Sequence, residues 1–207
     1  MTKAEYVLTR LRQAIVDGRL GPGDAINQEG VAVQLGVSAT PVREALRRLE
    51  AEGAIVYVPN RGATVVELSA DNVHDLYLLR SKVEGLATML ATNRESGEGL
   101  GRIEQLNADL ARLSHSGESG DVLGALNRRF HFAIYAAARS PLLFTHIETL
   151  WTMFPVRANA QLWGDAECAS QFVRDHGLVL EAMRVGDGLG AERAMAEHIA
   201  MSASLRG

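Results

Sequence analysis

A chain of 207 residues, 47 % hydrophobic and 22 % charged, has the material for one large packed domain or two small ones. Cys168 is the single cysteine, which excludes an internal disulfide framework and a cysteine-based zinc ribbon and leaves any metal to histidine, carboxylate or amide ligands. The net charge of −4 does not announce a nucleic-acid partner; no stretch approaches the ~20 apolar residues of a membrane span, and the charges spread from Met1 to Arg10 break up any signal-peptide core, so the expected location is the cytoplasm, away from membranes.

In chain order, Tyr6, Val7, Leu11, Ala14 and Ile15 recur at helical spacing and predict a helix over residues 3–17, stopped by Gly18. The turn Leu20-Gly21-Pro22-Gly23-Asp24 leads to a short second helix over 27–35, with Asn27 as its N-cap and Gly36 at its end. Ser38 is expected to cap a third helix over 39–52, with Pro41 in the first turn, where a missing N–H costs little, and Gly53 after it. The β-branched runs 55–58 and 63–66, joined by Pro59-Asn60-Arg61-Gly62, read as a hairpin. From Ser69 onward only helical patterns occur, over 70–93, 99–114, 119–138, 141–161, 167–185 and 188–205, separated by Gly/Ser-rich loops. The expected fold is mainly α: a winged helix-turn-helix with a small β-hairpin wing in residues 1–67, followed by an all-α antiparallel bundle of six helices in 68–207.

Charge placement says more than net charge. Through Val66 there are eight basic and seven acidic residues, a net of +1, while the rest carries −5. On the third helix, Val42, Ala45, Leu46 and Leu49 form one apolar stripe, and Thr40, Arg43 and Arg47 cluster on a flank near its N-terminal half. A recognition helix presents that end to bases in the major groove of duplex DNA. Ser38 and Thr40, with the free amides of the helix start, suit a phosphate; Arg43 and Arg47 are long enough for guanine O6/N7 or a backbone oxygen. Arg61, with Gly62 at the hairpin tip, suits an adjacent minor groove or a phosphate. The competing reading is a solvated face on which Arg43 and Arg47 pair with Glu44 and Glu50.

Taken together, Gly18-Arg19-Leu20-Gly21-Pro22-Gly23, Leu35-Gly36-Val37-Ser38, Thr40 to Leu49, Glu52-Gly53 and Pro59-Asn60-Arg61-Gly62 resemble, in joint order and spacing, the DNA-binding domain of the GntR family of regulators. The chain departs from the family at Ala39, often basic there, at Gln28, often Glu, and at Gly30 inside the second helix; the first of these bears on which operator is read. The resemblance implies a homodimer on a palindromic operator. The physics agrees, since one small winged helix buries too little surface for tight specific binding.

All six histidines lie beyond the predicted boundary. His115 falls in a polar loop, and His74, next to Tyr77 and Leu78 on its helix, reads as half-buried. His131, His146, His176 and His198 sit on apolar stripes, where each imidazole needs a partner. Satisfied core histidines explain any one of them. Several converging inside a bundle suit a transition metal, and Asn127, one turn before His131, shares its face; periodicity leaves His146 in contention.

Leu79 to Glu84, Asn127-Arg128-Arg129-Phe130-His131, Asp175-His176 with Glu181-Ala182-Met183, and Gly186-Asp187 leading to Glu197-His198 resemble the helical effector domain of the FadR subfamily, called FCD, in its shorter six-helix form. That resemblance implies a divalent metal held by Asn127, His131, His176 and His198, with zinc first and nickel, manganese or iron as alternatives, and a small organic acid as effector, with Arg80 as a second hand on its carboxylate. Asn127 stands where many relatives have Asp. Three neutral imidazoles and a neutral amide leave a dication uncompensated, so metal binds less tightly and an anionic ligand more strongly. The expected activity is sequence-specific, effector-controlled transcription regulation, as a repressor. Two rivals differ in class: a DNA-binding protein with no effector, and a metal-dependent enzyme fused to a helix-turn-helix, against which stands the lack of a well-placed general base, Glu181 and Glu197 being merely near the proposed ligands. Phe130, Phe132, Trp151, Phe154 and Trp163 read as core or pocket wall rather than as stacking platforms for bases.

Overall fold

The computed structural model describes residues 1–94, 98–153 and 156–204, with the side chains of 98 and 156–159 left aside. The chain divides into two compact units, one formed by 1–69 with 149–157, the other by 70–148 with 158–207.

In the first unit, α1 (Lys3–Val16) starts at a capping box in which the Thr2 side chain accepts from the Glu5 amide and the Glu5 carboxylate accepts from the Thr2 amide. Next come α2 (Gln28–Leu35) and α3 (Ala39–Ala51), then β1 (Ile55–Val58) and β2 (Gly62–Val65), paired antiparallel with Ile55 opposite Val65. The core is what the periodicity predicts: Val7, Leu11 and Ile15 of α1 meet Val42, Ala45, Leu46 and Leu49 of α3 and Ile55, Ala63 and Val65 of the hairpin. Helix α2 buries no residue; its ends are held by Asn27, which accepts from the Gly30 amide, and by the left-handed cap at Gly36, after which the Val37 amide reaches the Ala32 carbonyl. The hairpin turn needs a positive φ at Asn60 and Gly62, a conformation open to asparagine and glycine at little cost. A third edge that the sequence did not reveal joins the hairpin through a bridge between Ala25 and Thr64, with Ile26 donating to the Ala63 carbonyl.

The second unit begins with α4 (Ala70–Arg94), 25 residues and so roughly 37 Å long, followed by α5 (Glu98–Ser114) and α6 (Gly120–Ala137). Then come α7 (Pro141–Thr152), α8 (Val156–Gly164), α9 (Ala166–Arg184) and α10 (Gly188–Ser204). Where one helix was expected over 141–161, there are two, so that among the described residues seven helices follow Ser69 rather than six. Residues 154–155 of that expected helix, Phe154 among them, lie outside the described residues, as do 95–97. Pro155, a residue with no N–H to give to a helix, falls between the two helices in sequence. Helix α4 packs along α10 and also against α6, and α5 packs against both α6 and α9. At Gly85 the approach is close enough that a Cβ would stand 3.1 Å from the Glu192 carbonyl oxygen of α10, so this glycine sets the spacing of the two helices.

Candidate nucleic-acid interface and metal centre

On α3 the stripe Val42, Ala45, Leu46 and Leu49 is fully buried, which turns Thr40, Arg43 and Arg47 outward. The arginines of the first unit fall into two sets. Arg12 binds the Glu52 carboxylate with two bonds, Arg19 pairs with Asp17, and Arg48 pairs with Glu44 one turn before it. The side chains of Arg43, Arg47 and Arg61, like that of Arg10, are exposed and make no ion pair or hydrogen bond with the described residues. The pairing of Arg43 and Arg47 with Glu44 and Glu50 therefore does not form; Glu44 is engaged by Arg48. Ser38 stands at the N-cap of α3 but makes no side-chain capping bond, contrary to expectation. Ser38 is exposed. Gly62, at positive φ and exposed, lets the backbone turn tightly beside Arg61.

In the second unit, His131 on α6, His176 on α9 and His198 on α10 converge, each buried, with one ring nitrogen apiece lying within 4.8 Å of the others. Two of these atoms, His176 Nε2 and His198 Nε2, are 3.3 Å apart. The Phe130 ring stacks on His176 at 4.1 Å and the Phe172 edge meets His198, so apolar walls exclude water. Burial first, then the neighbouring charge of His198, hold His131 and His176 well below the usual histidine range, with Arg80 adding to the effect on His131. Two of the rings are thus kept neutral, the state in which imidazole binds metals. Asn127, one turn before His131, is buried, and its Oδ1 has no hydrogen-bond partner.

His131 Nδ1 is 2.8 Å from Tyr135 Oη, and Tyr135 donates to Glu84 Oε2. Glu84 Oε1 in turn accepts from Arg80 Nε at 2.5 Å, with the Arg80 guanidinium 5.3 Å from the Tyr77 ring centroid. Burial works against the Arg80 charge, but Glu84 outweighs it and holds the guanidinium more firmly protonated than usual. Burial and the Glu84 charge push the Tyr135 phenol well above its ordinary range. Arg80, Glu84 and Thr88 lie one turn apart on α4, and Thr88 returns its hydroxyl to the Glu84 carbonyl. A cavity of about 490 Å³ opens on Tyr135, Arg139, Ser140 and Phe144.

The remaining histidines separate cleanly. His115 is exposed, as expected; His74, expected half-buried, is exposed as well. His146 is exposed with its Nδ1 2.9 Å from the Leu142 carbonyl, because the stripe it was assigned to is itself open, Leu142 being 70 % exposed. Sequence reasoning missed Tyr135, Glu84, Asp175 and Asn107 as neighbours of the triad. Tyr135 and Glu84 had a signal, the i,i+4 spacings from His131 and Arg80; Asn107 had none.

A model of the bacterial regulatory proteins of the gntR family matches residues 3–65, and a model of the FCD domain matches residues 75–201. The HTH-type transcriptional regulator McbR of Escherichia coli (strain K12) is 29 % identical over 192 residues, 90 % of this chain and 85 % of that protein. A probable D-xylose utilization operon transcriptional repressor of Paenarthrobacter nicotinovorans is 29 % identical over 206 residues, 96 % of this chain and 86 % of that protein. The solved structure of E. coli McbR/YncC matches with a TM-score of 0.86 at 26 % identity, covering 99 % of this chain and 97 % of that one.

Proposed function

Since the chain belongs to the FCD-domain regulators that carry a GntR DNA-binding domain, we propose that it is a metal-bearing, ligand-controlled repressor of the FadR type. It is a DNA-binding transcription regulator with an effector domain, not an enzyme. On this reading residues 1–67 hold DNA and 68–207 sense the ligand, in a homodimer on a palindromic operator in the bacterial cytoplasm. Ser38, Thr40, Arg43 and Arg47 face the major groove, and Arg61 with Gly62 forms the wing contact. The exposed, unpaired state of those three arginines supports it, since a cation left without a protein partner gains most from a phosphate or a guanine edge.

The observation that carries the sensing half is the convergence of His131, His176 and His198, with the buried, orphaned Asn127 Oδ1 one turn before His131 on α6. Buried imidazoles in water-poor surroundings fit a borderline transition ion, zinc before nickel, manganese or iron, and an unpaired buried carbonyl oxygen is a donor with an unmet requirement. Such an ion supplies a Lewis-acidic point of attachment for an anion. Tyr135 borders both the His131 bond and the cavity, whose volume suits a small metabolite, and Arg80 contributes a buried positive charge. An organic acid that favours one arrangement of the DNA-reading heads shifts occupancy by no more than its differential affinity.

Native mass spectrometry of gently purified protein tests this reading. The expected spectrum is a dimer carrying one metal per chain, with operator affinity at fixed salt changed by a small carboxylate and the change lost after metal stripping. Protein that never carries metal, or an effector that binds the stripped protein equally well, overturns it.

A further inference from the structure

The three histidines of the cluster each turn a ring nitrogen away from it, toward a different acceptor. His131 Nδ1 meets Tyr135 Oη at 2.8 Å and His176 Nδ1 meets Asn107 Oδ1 at 3.2 Å, while His198 Nδ1, which forms no hydrogen bond with the described residues, stands 3.5 Å from Asp175 Oδ2. We propose that Tyr135, Asn107 and Asp175 are positioning residues that hold all three imidazoles as Nδ1–H tautomers, aiming three Nε2 lone pairs at one point. The inference rests on the metal reading above and deepens it: the site is organised before any ion arrives.

Each assignment follows from what the partner can accept. A phenol has one proton, and Tyr135 gives its proton to Glu84. Glu84 is paired to Arg80 and can only accept, so the phenolic oxygen is left to accept from His131; Met195 Sδ, 3.9 Å from Tyr135 Oη, is a weak competitor for the phenol. The oxygen of the Asn107 amide accepts and never donates, which places a proton on His176 Nδ1. Asp175 is an acceptor too. Its Oδ1 accepts from Gln171 Nε2 at 2.6 Å, and its Oδ2 lies 3.5 Å from His198 Nδ1.

With the three protons turned outward, His176 Nε2 and His198 Nε2 face each other across 3.3 Å as two bare lone pairs. Two bare lone pairs so disposed repel unless a cation lies between them. The three outer partners also differ in kind. Tyr135 passes His131 on to the Glu84–Arg80 pair, Asn107 is neutral, and Asp175 brings a negative charge near His198, which offsets the charge that Asn127, as an amide, does not supply. Asn107 further ties α5 to a centre otherwise built from α6, α9 and α10.

The test is long-range proton–nitrogen NMR of the full chain with 15N-labelled histidine, first stripped of metal and then titrated with zinc. Wild-type protein is expected to show Nδ1 protonated and Nε2 bare in all three buried rings before zinc is added. In Tyr135→Phe and Asp175→Asn, zinc affinity should fall by about 10- to 100-fold, with Asp175→Glu recovering part of the loss and the neighbouring ring losing its single-tautomer signature. A metal-free wild type with Nε2–H on any of the three rings overturns the proposal, as does a folded Tyr135→Phe with unchanged tautomer and zinc affinity. If zinc fails to bind wild-type protein whose rings show the expected tautomers, the metal reading falls and the positioning stands; zinc binding to rings of the opposite tautomer leaves the metal reading and removes the positioning.

Discussion

Three arginines of the first unit and Arg80 of the helical unit carry the same charge under opposite conditions. Arg43, Arg47 and Arg61 stand in water with no protein partner, whereas Arg80 is 2 % exposed and clamped by Glu84. The difference follows from who brings the counter-charge. DNA arrives with its own phosphates, so a reading face is best left solvated and unpaired until it docks. An interior sensing centre has no such visitor during folding and must satisfy each charge from within the chain, which accounts for the run Arg80, Glu84, Tyr135 and His131.

The largest effect that would sharpen this contrast is on stability. Glu84→Ala leaves Arg80 buried without its carboxylate and Tyr135 without its acceptor, and it should cost about 3–5 kcal/mol in denaturant unfolding. Replacing Arg80 and Glu84 together by methionine should recover much of that, because an apolar pair leaves no orphaned charge. A loss below about 1 kcal/mol in Glu84→Ala would mean that water screens the pair as it does a surface one, and the contrast with the exposed arginines would collapse.

The two units also differed in how far they could be read from sequence. The geometry of the proposed reading face was legible because each of its parts is local: Asn27 and Gly36 bound α2, Val42, Ala45, Leu46 and Leu49 set the wheel of α3, and Pro59 to Gly62 make the turn. Placing Arg43 and Arg47 outward needs only the 3.6-residue period. What escaped was non-local or depended on side-chain competition. Glu44 turned to Arg48 rather than to Arg47, and Asn107 reaches His176 across 69 residues of chain. His146 looked as well placed as His131, and periodicity had no means of showing that its helix face lies open.

Arg43→Ala is the next effect in size and acts on the other unit. Loss of a base-edge or paired phosphate contact should remove about 1–3 kcal/mol of operator discrimination, applied at both half-sites of a dimer, so that specific binding disappears in a gel shift at fixed salt. Unfolding should change by less than about 0.5 kcal/mol, since an exposed, unpaired side chain contributes little to the fold. Operator affinity equal to wild type would break the assignment of α3 as the reading helix.

The smallest effect is the most discriminating, because Arg47 and Arg48 are neighbours on one helix with different duties. Arg48 is 46 % exposed at its side chain and pairs with Glu44, itself 55 % exposed; an i,i+4 pair of this kind is worth about 0.3–0.5 kcal/mol and fades with salt. Arg48→Ala should therefore shift unfolding by no more than that and leave base discrimination intact, while Arg47→Ala weakens operator binding with no measurable change in stability. Removing Arg48 also frees Glu44 beside the reading face, where a bare carboxylate repels phosphate. Any loss of affinity it does cause should thus be uniform across DNA sequences and should shrink as salt is raised. A sequence-selective loss in Arg48→Ala would place the reading face one residue further round α3 and would require the outward set to be redrawn around Glu44 and Arg48.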